Sequence, residues 1–487
     1  MDRTTETISS YATTLRYSDL TPETIHSLKR SFIDTLGCAV GGAREPTSML
    51  VRKVITSMSA ARDLRSRVFG TADYVSPDMA AFANTVMVHN LNWDPMWRDL
   101  KFSGGFPGRT IPAIMAVAGP LGAGGQPVMT AAAVAHDVCY RLAATVNLHA
   151  LHWNQSFYTG PSSCAGLANL MRLTPEQTGH ALSMTALNLL RLRQTRAGKI
   201  PMWKSADCAD VNRDVVLYMY LAREGMTGPD EAFDGKWGLW HQSGAAGTDG
   251  VVVDPQGGVA ARPDTGVTLE PFGMDNDSFK VNRLSHKFYP THGPGVSPIT
   301  MALELREKVR IDEIQAINIE AYNRALFNVG GGPDKSQRYD PQTREDADHS
   351  IPWLVAVALR DGKFDATSYR PESVQDPGLR PMMRKVAVTE NPEFSEQFPA
   401  AQNMTMEIVT TAGQRHRTAV RWPKGYYQRN PLSDDELEAK FTSIAHESLG
   451  QAGCRKALDL LWHLEELDTL DPIYEAMMPI SSRVPVS

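Results

Sequence analysis

The stretch SHKFYPTHGPG, Ser285–Gly295, sets His286, Lys287, Tyr289 and His292 close together and then breaks into Gly-Pro-Gly. Imidazoles titrate near neutral pH and take or give protons there, so a turn presenting two of them suits acid–base chemistry. A second stretch, LRLRQTRAGKIPMWKSADCAD, holds Arg191, Arg193, Arg196, Lys199 and Lys204 just before a helix. Arginine forks grip carboxylates in pairs and a lysine adds a point charge, which is what a di- or tricarboxylate needs. A solvated basic turn is the plainer reading of the same residues. A third, HNLNWDPMWRDLKFSGGFPGR, mixes Asn92, Asp94 and Asp99 with Trp93, Trp97 and Phe102 ahead of a Gly-Gly-Phe-Pro-Gly turn. It reads equally well as a helix end running into a surface loop. A weaker candidate, LHALHWNQSFYTG, carries His149 and His152. There is no phosphate-binding loop, no G-x-G-x-x-G after a strand, no H-E-x-x-H and no G-x-S-x-G.

Helices must position most of these groups. Leu20 to Gly42 opens with Thr21 as a cap, Pro22 in the first turn and Glu23 near the positive dipole end. Ile25, Leu28, Phe32 and Leu36 follow as a helical stripe. Segments rich in Ala, Leu and Ser recur as SPDMAAFANTVMVHNLN, MTAAAVAHDVCYRLAATVNLHA, PSSCAGLANLMRL and ADVNRDVVLYMYLAREG. Small residues let helices approach closely, so about the first 250 residues read as one all-helical unit. After Trp240 the Gly-, Pro- and Asp-rich HQSGAAGTDGVVVDPQGGVAARPDTG reads as a loop or linker. Strands are then expected at FKVNRLSHKFY, IQAINIEAYN, RKVAVTENP and NMTMEIVTTAG, with helices at ITMALELREKV and HSIPWLVAVALRDG. The tail from LSDDELEAKFTSIA turns helical again.

The bulk numbers narrow the partners. A net charge of −6 over 487 residues, without a basic stripe, argues against nucleic acid. Cys38, Cys139, Cys164, Cys208 and Cys454 form no CxxC pair, which argues against a disulfide framework or a thiolate metal centre. The polar opening MDRTTETISSYATTLRYSDL shows no secretory signal and no apolar run reaches membrane-spanning length. A cytoplasmic protein with no membrane partner is the expectation.

In this order the segments resemble the MmgE/PrpD family, which includes 2-methylcitrate dehydratase and cis-aconitate decarboxylase. TPETIHSLKRSFIDTLGCAVGGA resembles the family's opening helix, and LNWDPMW…GGFPG falls where the family carries an Asp-rich motif and a His-Pro turn. KSADCAD, GMTGPDEAFDGKWGLW, KFYPTH and DADHSIPWLVAVALRDG follow in the family's order. The resemblance implies a mainly α fold: a large helical domain from both chain ends, residues 1–265 and 426–487, with a smaller inserted α+β lid, residues 266–425. It also implies a homodimer that works without metal or other cofactor.

Carried over residue by residue, it places Lys204 at the family's active-site lysine and His292 at the histidine of the lid motif. His152 lies within one position of another family histidine, with Trp153 as the alternative. Asp94 keeps one carboxylate of the Asp-rich motif. Arg193 and Arg196 resemble arginines that precede the lysine, and Tyr322 a tyrosine near the decarboxylase site. The sequence departs from the family at Asn92, where the motif's first Asp stands, and at Phe106, in place of the His of the His-Pro turn. The implied function is dehydration of 2-methylcitrate or a longer 2-alkylcitrate. Lys204, Arg193 and Arg196 would clamp carboxylates, and His292, His152 and Asp94 would move protons. Asn92, Phe106 and Tyr322 would complete the binding surface, Phe106 as an apolar wall for an alkyl chain. The alternatives are a cis-aconitate decarboxylase, another small-polycarboxylate lyase or isomerase, and a non-catalytic carboxylate binder.

Overall fold

The computed structural model describes residues 1–58, 64–98, 104–147, 151–196, 199–246, 252–253, 259–260, 265–331 and 337–480. The chain is mainly α-helical. Helix Pro22–Gly42 begins where its residues dictate, with the Thr21 hydroxyl accepting from the Thr24 N–H. Its glycines set the packing. A Cβ on Gly42 would lie 1.9 Å from the Met87 carbonyl oxygen, and one on Gly41 would lie 2.3 Å from Ile444. Helices Pro77–Asn90 and Asp434–Trp462 therefore close directly onto this helix, and the C-terminal segment returns to the N-terminal body. One hydrophobic core runs from Ile8 to Leu284 and resumes at Leu437 through Met477.

A second core, Ile299 to Ile408, is built on a four-stranded sheet. Strands β1 (Ile314–Ala321), β2 (Val386–Glu390), β3 (Met404–Thr410) and β4 (Arg415–Val420) lie in the order β4-β3-β1-β2. β3 is antiparallel to both neighbours, while β1 and β2 are parallel. Met404, Met406, Ile408 and Thr410 point inward in alternation along β3, burying one face under helices Val296–Arg306 and Ile351–Asp361.

Three sequence expectations change. FKVNRLSHKFY is a 3-10 turn, Lys280–Arg283, followed by a two-residue strand, Leu284–Ser285, paired antiparallel with Met96–Trp97. Its polar groups are tied to the helical body instead: the Lys280 N–H donates to Asp137 at 2.7 Å, and His286 contacts Asp34 at 2.6 Å. Val267, Leu269, Phe279, Val281 and Leu284 belong to the first core, so the change of core falls after Leu284 rather than at residue 266. Within HQSGAAGTDGVVVDPQGGVAARPDTG, the described parts include the end of a short helix, Leu239–Ser243, and the pairing of Val252–Val253 with Val259–Ala260. Most of that stretch lies outside the described residues. Among the described residues no helix is long and apolar enough to cross a membrane.

Candidate active site

A pocket forms where segments from the two cores meet. From the first come Asn92, Met96, Arg98, Phe106, Gln155, Arg193 and Arg196; from the second, His292, Tyr322, Arg324, Phe327, Asn328, Arg338, His349, Phe398 and Gln402. Five arginines and two histidines line it, and among the described residues no carboxylate does.

Local structure explains how each group arrives. Asn92 follows the Leu91 cap of helix Pro77–Asn90 in a left-handed conformation, φ 50°, which asparagine tolerates better than most residues. Trp97 exchanges backbone hydrogen bonds with Gly104 and Gly105, each at 3.1 Å. A Cβ on Gly105 would come within 2.7 Å of the Trp97 ring, so the Gly-Gly turn is needed to deliver Phe106. Arg193 and Arg196 sit on a 3-10 turn. Ser350 caps helix Ile351–Asp361, its hydroxyl accepting from the Trp353 N–H, and His349 immediately precedes that cap. The His292 N–H and the Thr291 hydroxyl both donate to the Asp348 carbonyl, at 3.3 and 3.0 Å. The rings of His292 and His349 are thereby brought to 4.7 Å between centroids.

A fully buried chain of charge lies behind them. Lys204 Nζ is 2.8 Å from Asp348 Oδ2, and Asn92 Nδ2 donates to the same oxygen at 3.3 Å. Asp348 Oδ1 meets His349 Nδ1, which also faces the Glu345 carbonyl at 3.1 Å. Two acceptors at Nδ1 place the proton there and leave the lone pair on Nε2. Burial works against the Asp348 charge, yet His349 and Lys204 hold its pKa well below the usual carboxylate range. Burial pushes the His349 imidazole down to about 4 against the pull of Asp348. It also holds His292 well below its ordinary value, helped by His349. Both rings are therefore neutral near pH 7. Burial lowers Arg98 and Arg324 to about 10, which leaves both cationic.

The expected residues divide into two sets. Asn92, Phe106, Arg193, Arg196, His292 and Tyr322 all line the pocket. Lys204 does not; it sits beneath, bonded to Asp348. Asp94 is turned into the core, where Arg109 holds it by two contacts of 2.8 and 3.3 Å, so it orients no histidine. His152 is exposed, with φ 59°, and is not part of the lining. Trp153, its alternative, donates its indole N–H to Ser243 at 2.9 Å and pairs with Leu192. Asp99, Phe102 and His149 lie outside the described residues. Sequence reasoning passed over Arg98, Arg324, Arg338 and His349. The adjacent Asp348-His349 pair just before a Ser-Ile-Pro helix start was a usable signal. Among the described residues no group of three His, Cys, Asp or Glu side chains is placed to hold a metal ion.

The sequence profile of the MmgE/PrpD N-terminal domain matches residues 6–247, and that of the C-terminal domain matches residues 289–465. The chain belongs to the MmgE/PrpD family. It is 23% identical to the 2-methylcitrate dehydratase of Salmonella typhi over 434 residues, covering 84% of this chain and 83% of that protein. It is also 23% identical to the mitochondrial 2-methylcitrate dehydratase of Yarrowia lipolytica, covering 84% of this chain and 78% of that one. With the cis-aconitate decarboxylase of Mus musculus it shares 22% identity over 481 residues, 96% of this chain and 91% of that protein. Dehydration and decarboxylation are both lyase reactions, so membership supports a lyase-type enzyme in this MmgE/PrpD chain.

Proposed function

We propose that this protein is a lyase that dehydrates 2-methylcitrate or a longer 2-alkylcitrate. The observation that carries this is a pocket with five arginines, two neutral imidazoles and no carboxylate in its described lining. Such a lining concentrates positive charge on a polyanion and leaves uncharged imidazoles for proton transfer. The segment after Leu284 acts as the lid, docked on the body formed by the two chain ends.

Elimination of water needs a base for the proton beside one carboxylate and an acid for the departing hydroxide. His349 is the base: its Nδ1–H is committed to Asp348 and its Nε2 lone pair is available. Lys204 keeps Asp348 ionised, and Asp348 in turn stabilises the imidazolium that forms. His292 is the proton donor. The charge of the bound polyanion offsets the burial that keeps this imidazole neutral in the free protein, so that it takes up a proton from solvent and passes it to the leaving oxygen, which departs as water. Arg193 and Arg196 hold carboxylates and stabilise the enolate-like charge. Phe106, with Met96, Phe327 and Phe398, supplies an apolar wall in the same pocket. Each methylene buried there contributes about 0.8 kcal/mol, which favours an alkyl substituent on the citrate.

The test is to incubate purified protein with 2-methylcitrate and longer 2-alkylcitrates and follow the unsaturated tricarboxylate. Product from one of them is the expected result, and product from none contradicts the reading. Incubation with cis-aconitate separates the decarboxylase alternative, because release of carbon dioxide would assign that reaction instead.

A further inference from the structure

The side chain of Asn92 is gripped at both ends. Its Oδ1 accepts from Lys287 Nζ at 3.2 Å, and the same lysine donates to the Asn92 main-chain carbonyl. Its Nδ2 donates to Asp348 Oδ2 at 3.3 Å. An ionised Asp348 only accepts, which fixes the nitrogen end of the amide toward it and the oxygen end toward the lysine. All three residues are at most 2% exposed. Among the described residues the nearest carboxylate oxygen to Lys287, on Asp94, is 3.9 Å away, so the neutral oxygens of Asn92 are its closest partners. Lys287 and Asp348 come from the segment after Leu284 and Asn92 from the helical body, so the contacts form one chain across the junction. Lys204 takes the same Asp348 oxygen at 2.8 Å, and the other oxygen meets His349 Nδ1.

We propose that Asn92 is a positioning residue for the proposed base: its side-chain amide ties Lys287 to Asp348 and holds the carboxylate that orients His349. This rests on the lyase reading above and adds to it a residue that acts through Asp348. An ammonium is a point donor on a flexible stem, whereas a planar amide donates in one direction, so Asn92 sets the plane of the carboxylate. Hydrogen bonds in series polarise one another in low-dielectric surroundings, so Lys287 strengthens the donation from Asn92 to Asp348. The amide does this without adding a second negative charge behind the two imidazoles.

Two variants of the full chain test this, each read by NMR titration of 15N-labelled histidines without substrate and by the kinetics of 2-alkylcitrate dehydration. The charged and titratable groups facing His349 are Asp348, Lys204, Arg338 and His292, and neither variant removes any of them. Asn92→Asp should raise the titration midpoint of His349 by about one pH unit, because the added carboxylate favours the imidazolium. Asn92→Gly keeps the left-handed backbone and removes the amide. It should lower kcat about tenfold with KM within about twofold, and raise the His349 midpoint by a smaller amount, since Asp348 loses a donor. A His349 midpoint unchanged from the parent in either folded variant overturns the proposal and leaves the proposed function standing. A raised KM with kcat kept in Asn92→Gly would make Asn92 a substrate contact and also overturns it. If the intact protein dehydrates no alkylcitrate, the function falls, and the titration, which needs no substrate, decides whether Asn92 acts on His349.

Discussion

Two buried ionic clusters in this molecule draw on the same short segments and end up with opposite properties. The first is closed. Asp34 lies between His286 and Lys440, and Asp94 lies against Arg109 with Lys287 3.9 Å away, so each carboxylate there has cationic partners. The second, the pocket, is left incomplete. Arg98 and His292 both present buried nitrogens without partners among the described residues. LNWDPMWR sends Asn92 and Arg98 to the pocket and Asp94 to the core, and SHKFYPTH sends His292 to the pocket and His286 and Lys287 to the core. A closed cluster stabilises the junction between the two cores; an incomplete one is ready for a ligand.

That contrast is broken most sharply at His349. Replacing it with alanine removes the proposed base, so turnover should fall about 10³- to 10⁴-fold with folding intact by circular dichroism. At the closed cluster, Asp94→Ala leaves Arg109 buried and unpaired. It should destabilise the protein by about 3–5 kcal/mol in urea unfolding, a far larger effect on stability than any pocket variant gives. Asp348→Asn sharpens the link between the clusters and the chemistry. It should lower kcat about 100-fold with little change in KM, because Asp348 acts through the His349 ring rather than on the substrate.

A smaller effect concerns pH. Burial depresses Lys287 to about 7, with Asp94 opposing and Arg109 and Lys440 assisting. The unfolded chain protonates the same side chain up to about pH 10.4. Between those values the unfolded state binds the extra proton, so this lysine makes stability rise with pH by up to about 1.4 kcal/mol per unit. Lys287→Met should flatten the rise between about pH 7 and 10 in thermal melts, and an unchanged slope would show that the lysine stays charged when folded. At the small end, His152→Ala should leave turnover within about twofold, since exposed substitutions away from a site usually change little.

Much of the fold could be read from residue pattern alone. The alternation in Met404–Thr410 answers to a single buried face, whereas the small-residue helices Pro22–Gly42 and Gly125–Thr145 are buried nearly all round, which their Ala- and Gly-rich composition permits. β4, Arg415–Val420, escaped notice because an edge strand with RHRTAV exposes half of its residues, fully buries none and lacks an apolar face. The site was half legible. Motif order led to His292, Arg193, Arg196 and Asn92, but spacing does not say which way a side chain turns. Asp94 is two residues from Asn92 and points away from the pocket, and Lys204 reaches the site only through Asp348. His349 and Arg324 come from segments that read simply as a helix start and a strand end. His349 takes its role from the neighbouring Asp348 carboxylate and the His292 ring, and Asp348 is in turn held by Lys204 from the other core.

The proposed catalytic role of His349 is tested most directly by the dehydration rate of 2-methylcitrate, or of the 2-alkylcitrate preferred by the intact protein, compared between His349→Ala and His152→Ala. His152→Ala should give unsaturated product at close to the parent rate, and His349→Ala should lose at least about 10³-fold. Turnover that survives removal of His349, or that disappears on removal of the exposed His152, would contradict it.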